Sequence, residues 1–421
     1  MRINLSKNIA DEKNNEIVSS ATVPLDTTVS KRAKYVRFFL ISTLLVLLIF
    51  MGTLLFFDSQ DSTKFIPFEI RNLILSRIGG EYFSLKTPDV PEIRDKVNPV
   101  NGVFVTKSEL EEMENRKLVV VSLNNHQASR PQFGLSKADL VLEVLAEGGI
   151  TRYNAFYYQN QNVTKVGPIR SARSYMLEFF LGFDDPIFVH EGQASYPVQE
   201  KPVPEINTLR HISEWGINSM QTAGSRYRDP ERIRTAGYVH ALMTGFDLIN
   251  KEVERLGWKS SSHIEPLKFK EDAAVDQRAQ SSTLEIKFTS LSTSSYAAKF
   301  DYDSKTNTYL RSIGGKPDVD ALDQTRIAPK TVIVEYHKYR DAMDGHSRII
   351  LEMTGEDEAF IFQDGKMIKG KWKKATREAR TKYYDENNRE IVFNRGQIWV
   401  VNAAKLSTKR ISTVTYNGEV L

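Results

Sequence analysis

Residues 38–57 read FFLISTLLVLLIFMGTLLFF, an uncharged run in which only Ser42, Thr43 and Thr53 carry a hydroxyl. About twenty residues at a rise of roughly 1.5 Å each cross a hydrocarbon core of roughly 30 Å. A helix buried in a soluble protein would be shorter or would keep a polar face. Lys31, Arg32, Lys34 and Arg37 precede the run, and Asp58 and Asp61 follow it. This bias puts the N-terminus in the cytoplasm and all that follows outside the cell membrane. A cleaved signal peptide has an apolar stretch of about 7–15 residues and ends at a small-x-small site. The sequence FFDSQDSTKF at 56–65 has no such site, so the run is expected to remain as an anchor in the lipid bilayer. Residues 1–37 then form a cytoplasmic tail and 38–57 a transmembrane helix.

No cysteine occurs in the 421 residues, which excludes disulfides, a thiolate nucleophile and cysteine-based metal sites. The net charge of +4 is small and mixed along the chain, so nucleic acid is not an implied partner. Prolines 88, 91 and 99 and the pair Gly79-Gly80 mark residues 58–102 as a stalk or linker.

From residue 103 the pattern is that of a folded domain. Ser108 with Glu111 fits a capping box, and LVVVSL (118–123) is a buried-strand run. LVLEVLAE and TRYNAFYY read as strands joined by a tight turn at Gly148-Gly149. A helix is expected over about 171–182, PIFVH as a strand, and a helix begun by Thr244 and Asp247 that ends before Gly257. Residues 103–276 thus make an α+β or α/β domain. The polar run QRAQSS marks a boundary, and residues 283–421 hold short strand-like segments that predict a mostly β domain. Asp364-Gly365 between two of them is a hairpin signal.

The strings NPVNG (98–102), NNHQASRPQFGLSKADLVLEVLAEGGITRYNAF (124–156), GPIRSAR (167–173), FVHEG (188–192) and YVHALM (238–243) occur in this order. With GKWKKATREARTKYYDENNREIVFNRGQIWVV near the C-terminus, they resemble the YerB-like lipoprotein family, domain of unknown function 3048, over residues 98–402. The resemblance implies an extracytoplasmic, envelope-facing protein. Lipoprotein members carry an acylated N-terminal cysteine; this chain has no cysteine, so a helix is expected to replace the lipid as anchor.

GPIRSAR is expected at a strand-to-helix junction, with Ser171 near the N-cap and Arg170 and Arg173 beside the first turn. A helix start flanked by guanidiniums suits a carboxylate or phosphate. The competing reading pairs both arginines internally with Glu143, Glu147 or Asp139. Alternation along LVLEVLAE puts Glu143 and Glu147 on one face, near Arg152. His190 and His240 stand at element edges, where sites commonly form. The remaining histidines are scattered, no HExxH-type spacing occurs, and neither metal nor cofactor is implied. Arg170, Ser171 and Arg173 are therefore expected to form one wall of a pocket completed by Glu147, Arg152, His190 and His240.

Three functions fit. The first is an envelope protein that binds a polar or anionic ligand such as a cell-wall glycan or peptide. The second is an envelope hydrolase or transferase with Glu147 or His190 as base and Arg170 as anion stabiliser. The third is a structural partner for another envelope protein in a membrane complex.

Overall fold

The computed structural model describes residues 35–47, 92–195, 203–260, 262–290, 292–407 and 409–421. Residues 35–47 are helical, with the Ser42 and Thr43 hydroxyls donating to the Phe39 carbonyl at 2.9 and 2.8 Å. Bonded to their own backbone, these hydroxyls add no outward polarity to a helix whose Phe38, Phe39, Leu40 and Leu44 are exposed. Among the described residues no helix is long and apolar enough to cross a membrane. The rest of the expected span, 48–57, lies outside the described residues, as do 1–34 of the tail and 58–91 of the stalk.

The second unit, Pro91–Leu421, takes in residues that the stalk was expected to own. β1 (Lys96–Val97) and β2 (Phe104–Val105) pair antiparallel around NPVNG. Asn98 and Asn101 are buried there, each donating from Nδ2 to Asp139 Oδ1 at 2.8 Å. The other oxygen of Asp139 accepts the backbone N–H groups of Tyr158 and Gln159 at 2.7 and 3.1 Å. The fold therefore extends N-terminally of residue 103, because two asparagines supply donors that a buried carboxylate needs.

Helix α1 (Lys107–Glu114) follows, capped two residues earlier than expected: Thr106 is the N-cap and Glu109 closes the box. β3 (Val119–Asn124), β4 (Leu140–Leu145) and β5 (Thr151–Tyr157) are buried along their whole length. β4 and β5 are joined by the expected glycine turn, where Gly148 and Gly149 take φ of 67° and 75°. Next come α2 (Ser174–Phe180), β6 (Ile187–Val189), α3 (Thr208–Glu214) and β7 (Asn218–Met220). β8 (Tyr227–Arg228), α4 (Pro230–Ala236), β9 (Leu242–Met243) and α5 (Phe246–Leu256) complete the first half. Thr244 does not cap α5; its hydroxyl donates to the Ser225 carbonyl at 2.7 Å and Gly245 holds the N-cap position.

The second half is strand-rich, as expected: β10 (Lys268–Lys270), β11 (Thr283–Lys287), β12 (Ala298–Asp303), β13 (Thr308–Ile313), β14 (Lys316–Pro317) and β15 (Thr331–Asp341). β16 (Ile349–Leu351), β17 (Gly355–Gln363), β18 (Lys366–Lys374), β19 (Lys382–Asp385) and β20 (Val392–Asn394) follow. β21 (Ile398–Lys405), β22 (Thr413–Tyr416) and β23 (Glu419–Val420) end the chain. Asp364-Gly365 is the predicted two-residue hairpin: Gln363 pairs with Lys366, and both turn residues have positive φ. A side chain at 365 would meet the Tyr302 ring at 2.4 Å, so the turn admits only glycine without rearrangement.

The large sheet runs β19-β18-β17-β15-β21-β4-β5-β3-β6-β7, with β16 also paired to β15. It crosses from one half of the sequence to the other at β21 and β4, which pair in parallel from Ile398↔Leu140 to Asn402↔Val144. The smaller sheet, β14-β13-β12-β11-β22-β23, packs on one face of it, where the Trp399 ring lies between Tyr153 and Phe300 at 5.4 and 6.1 Å. Helix α2 covers the opposite face, with Phe179 against Phe156 at 5.9 Å. The two expected domains at 103–276 and 283–421 thus contribute strands to one continuous sheet.

Candidate functional site

β3 and β6 run parallel as far as Val121↔Val189. Beyond that pair they part, and GPIRSAR enters the fork as an extended wedge. Ile169 bridges Leu123, and the backbone N–H of Arg170 donates to the Ser122 carbonyl at 2.8 Å. On the other side Glu191 N–H donates to the Arg170 carbonyl at 3.1 Å and Ala172 N–H to that of Gly192 at 3.0 Å. The expected helix start at Ser171 is therefore corrected: α2 begins at Ser174, Arg173 is an extended N-cap residue, and no side chain caps it. The wedge spends the N–H groups of Gly167, Ile169, Arg170 and Ala172 on backbone carbonyls of neighbouring segments. Ser171 contributes its carbonyl, not a capping hydroxyl.

Register decides which side chains meet. Arg170 lies opposite Ser122, which pairs with Asn154 on β5, while Asn124 pairs with Arg152. Ser122, Asn124, Arg152, Asn154 and Arg170 consequently share the face covered by α2. Glu147, in the β4–β5 turn, accepts from Arg173 Nε at 2.5 Å and Arg152 Nη2 at 3.1 Å. Arg152 Nη1 also donates to the Ser171 carbonyl at 3.1 Å. Internal pairing is thus realised for Arg173 and Arg152, with Glu147 as the shared carboxylate.

Arg170 is different. Its half-buried guanidinium makes no hydrogen bond or ion pair with any described residue. Burial and the neighbouring Arg173 push its pKa down. Burial and Arg173 likewise lower Arg152, to about 10. Glu147 shows the reverse: burial works to raise it, yet Arg173 and Arg152 outweigh that and hold it at about 2. Three guanidiniums around one carboxylate leave this corner electropositive.

Two of the predicted wall residues stand differently. His190 is fully buried with both ring nitrogens engaged, Nδ1 with the Gly192 carbonyl and Nε2 with Ser219 Oγ, each at 2.8 Å. Burial lowers it to about 4, so it is neutral and structural at neutral pH. His240 adjoins the cluster through Asn124, whose Nδ2 meets its Nδ1 at 2.9 Å. Glu143 is not in the site. Its side chain points to the other face of the sheet, where Arg311 grips both of its oxygens at 2.8 and 3.0 Å. The expectation that Glu143 and Glu147 share a face fails because β4 ends at Leu145, and the alternation ends with it.

Sequence reasoning missed Ser122 and Asn154. Both are 0% exposed, and Ser122 Oγ and both amide atoms of Asn154 have no hydrogen-bond partner among the described residues. For Ser122 a signal was present, since it is the one polar residue in the apolar string LVVVSL; Asn154 follows Thr151 and Arg152 in TRYNAFYY and does not stand out there. It also missed His126, which stacks on His240 with centroids 4.8 Å apart.

Two family models match the chain, the N-terminal domain of a protein of unknown function (DUF3048) over residues 105–259 and its C-terminal domain over 285–400. The chain belongs to the DUF3048 family. A relative in Bacillus subtilis described as putative lipoprotein YerB is 33% identical over 286 residues, 68% of this chain and 80% of the relative. The crystal structure of Bacillus subtilis YerB superposes with a TM-score of 0.61 at 26% identity, covering 76% of this chain and 99% of that one. The family's two domains are the two sequence halves that share the large sheet here.

Proposed function

We propose that this chain is a membrane-anchored, extracytoplasmic envelope protein whose folded unit binds a polar or anionic ligand of the cell wall through the Arg170 cluster. The envelope location is supported by the lipoprotein description of the YerB relative and by the apolar run at 38–57, which would replace a lipid anchor. The ligand reading is carried by the Arg170 guanidinium, which has no partner among the described residues and lies beside two arginines that already share Glu147. Arginine is chosen where planar, bidentate recognition of an anion matters, and leaving its donors unused costs free energy.

The hydrolase or transferase reading draws no support from its two named bases. A general base works best with a pKa near the operating pH. Glu147 at about 2 and His190 at about 4, with both nitrogens engaged, are far from it.

Arg170→Ala should leave the melting temperature nearly unchanged, since the removed group has no partner to orphan and a repulsive neighbour is relieved. The stability change is expected within about 0.5 kcal/mol. Wild type should be stabilised by soluble cell-wall fragments, by about 2.7 kcal/mol at a hundredfold excess over Kd, and the variant should not be. No ligand shift in wild type, with a large melt loss in Arg170→Ala, would make the cluster structural. For the topology, protease added to intact spheroplasts should digest the folded unit; its protection would reverse the orientation.

A further inference from the structure

His126 and His240 lie with ring planes within 12° of each other, and Asn124 dictates where the ring hydrogen of His240 resides. Asn124 Oδ1 accepts the backbone N–H of His126 at 3.0 Å, so the amide nitrogen is the atom that meets His240 Nδ1. That Nδ1 therefore accepts. His126 Nδ1 also accepts, from the Ala128 backbone N–H at 3.2 Å. A neutral imidazole that accepts at Nδ1 carries its hydrogen on Nε2. Both rings thus hold an Nε2–H donor, and neither Nε2 has a partner among the described residues. A metal-binding histidine does the reverse, donating from one nitrogen to a protein acceptor and ligating through the lone pair of the other. This pair is arranged to donate.

The donors stand beside Arg170. Asn124 is two residues along β3 from Ser122, the residue opposite Arg170, and on the same face, about 7 Å away along the strand. The same face carries Ser122 Oγ and the Asn154 amide, fully buried and without a hydrogen-bond partner among the described residues. Buried polar side chains without partners are rare, and these share the face of the sheet that carries Arg170.

On the anion-binding reading given above, we infer that the group anchored here is a phosphoryl group, gripped by the Arg170 guanidinium and the Nε2–H groups of His126 and His240. Three arginines less one glutamate leave a surplus of two positive charges, which matches a phosphate monoester at about −1.5 to −2. A carboxylate carries a single charge and two coplanar oxygens, so one carboxylate balances only one of the two surplus charges. The terminal oxygens of a phosphoryl group diverge and take donors from separate directions.

Titration calorimetry on the full chain in detergent, with inorganic phosphate, glycerol 3-phosphate and acetate, tests this. Phosphate compounds should bind more tightly than acetate. Arg170→Ala should abolish the binding. His126→Phe and His240→Phe, which keep the stack, should each weaken it about tenfold, the loss of one charge-assisted hydrogen bond. Their melting temperatures should match wild type; if His240→Phe unfolds, the part-exposed His126 carries the test alone. Tighter binding of glycerol 3-phosphate than of inorganic phosphate supports the assignment with an organic phosphate monoester as source, and the opposite order supports it with a free phosphate. Acetate binding that depends on Arg170, with no preference for phosphate, overturns the phosphoryl assignment and leaves the anion site standing. Failure of every anion to bind overturns both.

Discussion

Arg311→Met should lower the unfolding free energy by about 3–5 kcal/mol, the usual cost of removing one partner from a buried ion pair. Arg311 stands on β13 and is 0% exposed. Its guanidinium reaches across the packed sheets to both oxygens of Glu143 on β4, pairs with Asp318, and lies 4.5 Å from the Trp399 ring centre. Burial alone would lower its pKa, but Glu143, Tyr153 and Asp318 outweigh burial and raise it, so the charge is kept. Glu143 also accepts from Trp399 Nε1 at 3.0 Å and Thr151 Oγ1 at 2.9 Å, which fixes its position for the arginine. Taking away the cation strands two carboxylates in the interior, whereas the methionine keeps much of the packing volume. Urea unfolding measures the loss. The double variant Arg311→Met/Glu143→Gln should recover part of it, because one stranded charge is gone. A single-variant loss below about 1 kcal/mol would mean that the pair is balanced by its own desolvation.

Neither sequence half, produced alone as residues 92–276 or 283–421, should unfold cooperatively. The domain pattern by itself predicts the opposite, two units that each fold alone. The register opposes it: β4 and β21 pair in the middle of the large sheet, β10 pairs with β20 across the same divide, and Arg311 and Glu143 come from different halves. Separation would expose a long apolar strand edge on each piece, a template for aggregation. Urea titrations followed by circular dichroism should show broad, shallow curves for each half and a sharp transition when the two are co-expressed. A steep sigmoidal transition in either isolated half would show that the shared sheet is not required.

Local structure was legible where one residue type decides a local conformation. Gly148-Gly149 and Asp364-Gly365 turned the chain as read, because the positive φ each turn needs is met by the residue at the position itself. The apolar strings from LVVVSL to QIWVV are strands, because burial on both faces needs unbroken apolar sequence. Caps were less legible. Ser108 and Thr106 both precede a glutamate by three residues, and only the chain's path into β2 makes Thr106 the cap. The helix placed at Ser171 began three residues late, since the fork between β3 and β6 claimed the backbone of GPIRSAR first.

Composition and pattern by themselves determined the absence of thiol chemistry and the strand-rich second half, and raised the membrane-spanning run at 38–57 as an expectation; the family was legible through the resemblance of its motifs. They also placed Glu147, Arg152, Arg170 and Arg173 in one list. Only the tertiary structure decided that Glu147 serves two of those arginines and leaves the third without a partner among the described residues. Only it sent Glu143 to the opposite face to meet Arg311 and brought His126 onto His240, 114 positions apart in the sequence. The reason is physical: turns, strands and apolar periodicity depend on neighbours along the chain, whereas the pairing of charges depends on strand register and on which face a side chain takes, and both are set by contacts between distant segments.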